Sequence, residues 1–398
     1  MKYSKIFSPL LLSALLLLGG CGGGSSDNSS SSAAPQTFTE TEKAFVHNLF
    51  LTEYLWYEDV PANVDYSLYT TPQSLIDALR VNPPDRWSFA ITAQEYENFV
   101  NQETAGFGFG YLADYTIYMV HLGSPAEGKL RRGDRIVEVN GQPVSYDLLQ
   151  SLRSQTGVAA TFTVIRAGES VNVDVTPEHY TFRVTQPTIL SYSGRTVGYL
   201  RYDAFTSTSV QALEDAFTTF KGAGVQDLVI DLRYNGGGTV TAASILLDNI
   251  SSAQPGARQF YLDWNENYKS QNETYYFSTE VEPNDLNMRR VFFLVTKDSA
   301  SASELVISAL KPYLGNTNVI TIGSATHGKN VGMTGRSYGS NYYFLINFYV
   351  RNNNGETTSF NGIPPTCTAS DDLTHQRNDP NEAMLHAALN YIATGHCP

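Results

Sequence analysis

Two stretches of this sequence are apolar almost without interruption, "DLVIDL" at 227–232 and "VFFLV" at 291–295. A strand with one wet face alternates polar and apolar residues, so such runs belong to strands covered on both faces. Each is followed by small residues and a helical stretch: "RYNGGG" leads into "TVTAASILLDNI", and "TKDSASAS" into "ELVISALKPYLG". "TVGYLRYDAF" before "SVQALEDAFTTFKGAG" repeats the order. Strands and helices alternating over 179–398 predict a mostly parallel, doubly covered sheet. Functional loops in such folds lie at the C-terminal ends of the strands, where both the glycine run and the serine run fall.

The 398 residues allow two or three domains. Residues 37–99 read as helical, with apolar spacing in "TETEKAFVHNLFLTEYLWY" and a second helix in "TPQSLIDALR". Over 100–178 the pattern becomes strands, a short helix, and strands again. There "LRRGDRIVEVNGQPV" is a strand entered through a Gly-Asp turn and left through Asn140-Gly141. Net charge is -13 with no basic stripe, so no nucleic-acid partner is expected.

At the N-terminus "MKYSK" supplies two lysines, "LLLSALLLLGG" an apolar stretch, and Cys21 follows. This is the layout of an export signal, and its apolar part is short for a membrane-spanning helix. "LGGC" resembles a bacterial lipoprotein box. The resemblance implies a signal over 1–21, lipid on Cys21, and a Gly/Ser linker over 22–36. It implies an exported protein anchored in the cell envelope, at the outer membrane or periplasm of a Gram-negative host, since Gly22 rather than Asp follows the cysteine. The other two cysteines, Cys367 and Cys397, are then expected to pair in an oxidising compartment.

Ser301 and Glu304 have the spacing of a capping box, so "SASE" starts a helix. A cap does not exclude chemistry, because a nucleophile there gains from free amides and the positive end of the helix dipole. The amides of "NGGG" lack shielding side chains and could hold an oxyanion. A serine nucleophile needs a base, and none of the seven histidines sits in a triad context. "GRSYG" around Ser337 has the GxSxG form, but a strand follows where a nucleophile elbow needs a helix, so it reads as a turn. Lys329, in "GSATHGKNVG", follows an apolar strand. It could act as a base only if burial lowered its pKa from near 10.4. "GFGFG" at 106–110 lacks the spacing and helix of a dinucleotide site. No His/Cys/carboxylate cluster has metal-ligand spacing, so no metal or other cofactor is expected.

"SPAEGKLRRGDRIVEVNG" resembles a PDZ domain. That implies capture of peptide C-termini by strand addition, with a carboxylate loop near Gly106, Phe107, Gly108 and Phe109. This segment, "DLRYNGGG", "DSASASEL" and "GSATHGK" together resemble the C-terminal processing (tail-specific) serine peptidases. "LTEYLWYEDVP", "DRWSF" and "FNGIPPT" extend the likeness over roughly residues 40–390. The family implies an α/β multidomain fold: an N-terminal helical segment, a PDZ-like β-rich domain and an α/β peptidase core. It implies Ser301 as nucleophile and Lys329 as general base, with Gly236 or Gly237 plus Ala302 lining the oxyanion hole. The function implied is a serine endopeptidase that cuts exported proteins near unstructured C-terminal tails. Two positions depart from the family: His327 replaces a Phe or Tyr, and Met333 a Gln that orients the lysine. They leave open a scaffold that binds C-termini without cutting. An esterase acting through Ser337 is the third reading.

Overall fold

The computed structural model describes residues 38–398 except 252, 253 and 281. The signal, Cys21 and the linker expected over 1–36 lie outside the described residues. The apolar runs form the centre of a six-stranded sheet, in the order Thr185–Tyr192, Arg195–Tyr202, Asp227–Asp231, Val291–Val295, Val319–Gly323, Cys367–Thr368. The first pairing is antiparallel and the others are parallel. Successive side chains point to opposite faces. Leu228, Ile230, Val291 and Phe293 pack with helices Val210–Gly222, Val240–Ile250 and Ala302–Leu314. Val229, Phe292, Leu294 and Ile322 pack on the other face with helix Ala383–Thr394. Both faces are dry, which is why these strands show so little polar alternation.

A second sheet, not anticipated from the sequence, is antiparallel throughout. It orders Phe89–Thr92, Asn341–Asn352, Arg258–Trp264 and Glu273–Tyr276, with Val331–Tyr338 also paired to the long strand. Its strands come from three distant parts of the chain, so only the tertiary fold brings them together.

The N-terminal segment forms helices Glu40–Thr52, Pro72–Leu79 and Ala93–Val100, started by Thr39, Thr71 and Thr92, whose side chains accept backbone amides. It does not stand apart from the core. Strand Phe89–Thr92 belongs to the second sheet, and Val46, Phe50, Leu75 and Ile76 share one core with Tyr343, Leu345 and Ile346.

The PDZ-like segment has its own core of Phe107, Ile117, Ile136, Leu149, Phe162 and Val164. Asn140 and Gly141 both have positive φ, as a two-residue hairpin turn demands. Its closing strand Glu178–Thr181 pairs with Glu103–Gly106, a few residues beyond the expected boundary at 178. The segment is seated on the rest of the chain at Gly133, where φ is +89° and a Cβ would lie 2.2 Å from the Leu373 carbonyl oxygen. Beside it Arg132 donates to the Tyr234 hydroxyl and to the Asp371 carboxylate. Cys367 and Cys397 are disulfide-bonded, tying the last residues to the sheet edge.

Candidate active site

Strand Val291–Val295 ends in a turn that delivers Ser301 to the start of helix Ala302–Leu314. Ser301 has φ +57° and ψ −112°, a conformation that costs an L-residue on the order of 1–3 kcal/mol and persists only where its surroundings fix it. They do so here. Its amide donates to Glu304 Oε2 at 3.0 Å, the Ala300 amide to the Asn235 carbonyl at 3.1 Å, and Ser303 Oγ to the same carbonyl at 2.9 Å.

Lys329 arrives from the neighbouring strand Val319–Gly323 by a loop that crosses to the antiparallel sheet. That loop is tied on several sides. The His327 amide donates to the Ser299 carbonyl, and Thr326 and Ile363 exchange two bonds. Gly328 has φ +88°, and a Cβ there would lie 2.1 Å from the Phe360 carbonyl oxygen. Glu304 joins the two halves. Its Oε1 accepts from Thr326 Oγ1 and the Gly328 amide, and its Oε2 from the amides of Ser301 and Lys329. Burial raises the Glu304 pKa, and these donors oppose the rise.

Lys329 is 3 % exposed and Ser301 9 %. Both line one cavity of about 20 Å³ between helix Ala302–Leu314 and the antiparallel sheet, with Phe260, Leu305, Asn330 and Asn352. That is room for about one water molecule. Burial lowers the Lys329 pKa to about 7, with Asp85 and then Glu304 acting against it. Met333 Sδ lies 3.7 Å from Nζ, so the residue that replaces the family's Gln still touches the lysine. A thioether is a weak acceptor and gives the ammonium form little support.

The glycine turn lies against the serine. A Cβ at Gly237 would be 2.8 Å from Ser301 Cβ and 2.9 Å from the Ala302 nitrogen, and its φ is +105°. The expectation for Gly237 needs one correction, because its own amide donates to Asn235 Oδ1 at 2.8 Å. The side-chain amide of Asn235 donates to the Tyr202 carbonyl, so this buried residue braces the whole turn. In the sequence Asn235 stands out only as one residue of the glycine motif "DLRYNGGG". Below the turn, Arg233 is fully buried among Asp231, Asp371 and Glu382.

The remaining candidates lie elsewhere. Ser337 is exposed in strand Val331–Tyr338 and leads into a hairpin, with no helix after it. His327 turns away from Lys329, accepting from the Trp87 indole at Nε2 and bonding the Lys297 carbonyl through Nδ1. In the PDZ-like segment, Phe107 points into the core against Phe162, so only its backbone belongs to the loop. Among the described residues, strand Phe109–Tyr111 pairs with Ile117–Val120 alone, so an added strand would have to join its other edge. Arg153 crosses Gly106 at the end of that edge.

Comparison with known proteins agrees with this anatomy. The model of peptidase family S41 matches residues 196–369, that of the S41 N-terminal domain residues 42–89, and that of a PDZ domain residues 116–166. The carboxy-terminal processing protease CtpA of Bacillus subtilis is 25% identical over 225 residues, 54% of this chain and 44% of that protein. The chloroplastic carboxyl-terminal-processing peptidase 3 of Arabidopsis thaliana is 26% identical over 277 residues, 62% and 50% of the two chains. This chain thus spans about half the length of the curated relatives it matches. A crystal structure of an S41 protease from Bacteroides fragilis shares the fold at TM-score 0.74 and 24% identity, covering 88% of this chain and 97% of that one. The photosystem II D1 C-terminal processing protease gives 0.53 at 18% identity, covering 89% and 97%.

Proposed function

This chain belongs to peptidase family S41 and carries a PDZ domain, and from that premise we propose that it cuts peptide bonds with Ser301 as nucleophile and Lys329 as base. The observation that carries the proposal is a lysine 3 % exposed, with its pKa lowered to about 7, lining the same small cavity as a conformationally constrained serine. Neutral Nζ takes the Ser301 hydroxyl proton as Oγ attacks the scissile carbonyl. The oxyanion is held by the Ala302 amide and one amide of the glycine turn. Gly237's amide is engaged, so Gly236 or Gly238 is the donor. The tetrahedral adduct collapses, the lysine returns its proton to the leaving amine, and an ester to Ser301 remains. Lys329 then activates a water that releases the acid and restores the serine.

The substrate we propose is an unstructured protein tail. Its last residues add a strand to Phe109–Tyr111 and its terminal carboxylate sits at the Gly106–Phe109 loop, with Arg153 nearby. We also propose that Cys21 carries lipid and holds the enzyme in the cell envelope, which would limit it to exported substrates. The test uses one unstructured protein with an apolar tail, carrying either a free or an amidated C-terminus, with fragments read by mass spectrometry. Faster cleavage of the free acid supports tail capture, and equal rates contradict it. Binding without cleavage would favour the scaffold.

A further inference from the structure

We propose that Trp87, contributed by the N-terminal segment, is a positioning residue for Lys329, acting through a latch on His327. The inference rests on the Ser–Lys reading. The Trp87 indole N–H donates to His327 Nε2 at 3.0 Å across 240 residues of sequence. Nε2 is therefore the acceptor, and Nδ1 carries the proton it gives to the Lys297 carbonyl at 3.1 Å. Both ring nitrogens are committed, and the imidazole is held as one neutral tautomer. Arg86 adds a bond from Nη2 to the His327 carbonyl at 2.8 Å. The Gly328-Lys329 segment that follows is thus fixed from the N-terminal side as well as by Glu304.

The latch is itself braced. Asp85 is fully buried and accepts from the Trp87 and Ser88 amides, from Ser88 Oγ and from the Tyr54 hydroxyl. Ser88 Oγ accepts in turn from the amide of Ile346, which pairs with Met333, the neighbour of Nζ. The Trp87 ring stacks on Phe360, whose carbonyl lies against Gly328. A second proton on His327 would have to displace the indole. Burial lowers its pKa, with Arg86 and Lys329 acting in the same direction and the Lys297 carbonyl and Asp298 opposing.

The latch keeps the lysine loop in its dry position. Cutting it admits water around Nζ and returns the lysine toward its ordinary pKa. In the full-length protein, we would follow the pH dependence of fluorophosphonate capture at Ser301. Trp87→Phe keeps an aromatic ring and loses the N–H. The acid-limb midpoint is expected to rise by about one unit, a loss of about fivefold at pH 7 that approaches tenfold by pH 6 and is recovered near pH 9. A purely structural defect would lower the rate at every pH alike. If Trp87→Phe does not fold, His327→Gln and His327→Ala make the same comparison. The glutamine keeps an acceptor for the indole, and it is expected to shift the midpoint less than alanine does.

Nitrogen-15 spectra of the His327 ring test the latch apart from activity. The wild type should keep the Nδ1–H form below the ordinary imidazole midpoint, and Trp87→Phe should titrate closer to it. An unchanged midpoint in Trp87→Phe, or a wild-type His327 that titrates near its ordinary value, would overturn the proposal. If the wild type captures no reagent at Ser301, the Ser–Lys reading falls instead, and the ring spectra still decide whether Trp87 holds His327.

Discussion

The backbone amides of Ser301 and Lys329 donate to the same atom, Oε2 of Glu304, at 3.0 and 2.8 Å. One buried carboxylate therefore sets the separation of the two residues on which the proposed chemistry depends. A capping box at a helix start has become a clamp between two strand ends.

Replacing that carboxylate by an amide leaves one oxygen for four donors and turns an N–H₂ toward groups that need an acceptor. Glu304→Gln is expected to lower kcat by about 10- to 100-fold, with little change in KM. Stability should fall by about 1–3 kcal/mol, the cost of leaving buried donors unpaired. Steady-state kinetics and thermal melts of the same preparation check both figures.

Gly237 has no space for a methyl group. A Cβ there meets Ala300 O, Ser301 Cβ and the Ala302 nitrogen at 2.8–2.9 Å, at a φ of +105°. Gly237→Ala should displace the serine from the turn and reduce kcat at least 100-fold, on the scale of losing one oxyanion donor. Tail binding by the PDZ domain should survive, as a fluorescence-anisotropy titration would show.

Lys329 must be neutral to accept a proton, and its pKa is lowered from 10.5 to about 7. Activity should therefore rise with pH through a midpoint near 7 and fall about tenfold per unit below it. A kcat/KM profile that stays flat to pH 5 would contradict the lysine base.

The lowered pKa has a consequence for folding. Below about 7 the lysine is charged in both states, and the folded state bears the full cost of burying it. Between about 7 and 10.5 the unfolded chain holds more protons, so this cost shrinks as pH rises. Lys329→Met should abolish activity yet stabilise the fold, by on the order of 1–3 kcal/mol at pH 6 and by progressively less toward pH 10. Denaturant melts across that range test both the sign and the trend.

The parallel sheet was legible because "DLVIDL" and "VFFLV" are buried on both faces, a property local sequence records. The antiparallel sheet was not. Phe89–Thr92 finds its partners near residue 343, and such register is a tertiary property. At the site, Ser301 and the glycine turn could be placed at strand ends from pattern alone. Lys329 could also be placed after an apolar strand, but its burial could not be read, because a loop lysine is ordinarily solvated and the groups around it come from distant segments near 260, 301 and 350. Asn235 and Trp87 were visible only as letters within motifs, since each acts through contacts with distant residues.

The most direct test of the central claim compares wild type, Ser301→Ala and Lys329→Ala at pH 8. The readouts are fluorophosphonate labelling, mapped by mass spectrometry, and cleavage of an unstructured tail. The expected result is label on Ser301 in the wild type alone, with cleavage lost in both variants. Label on Ser337, or undiminished cleavage by Lys329→Ala, would contradict the account.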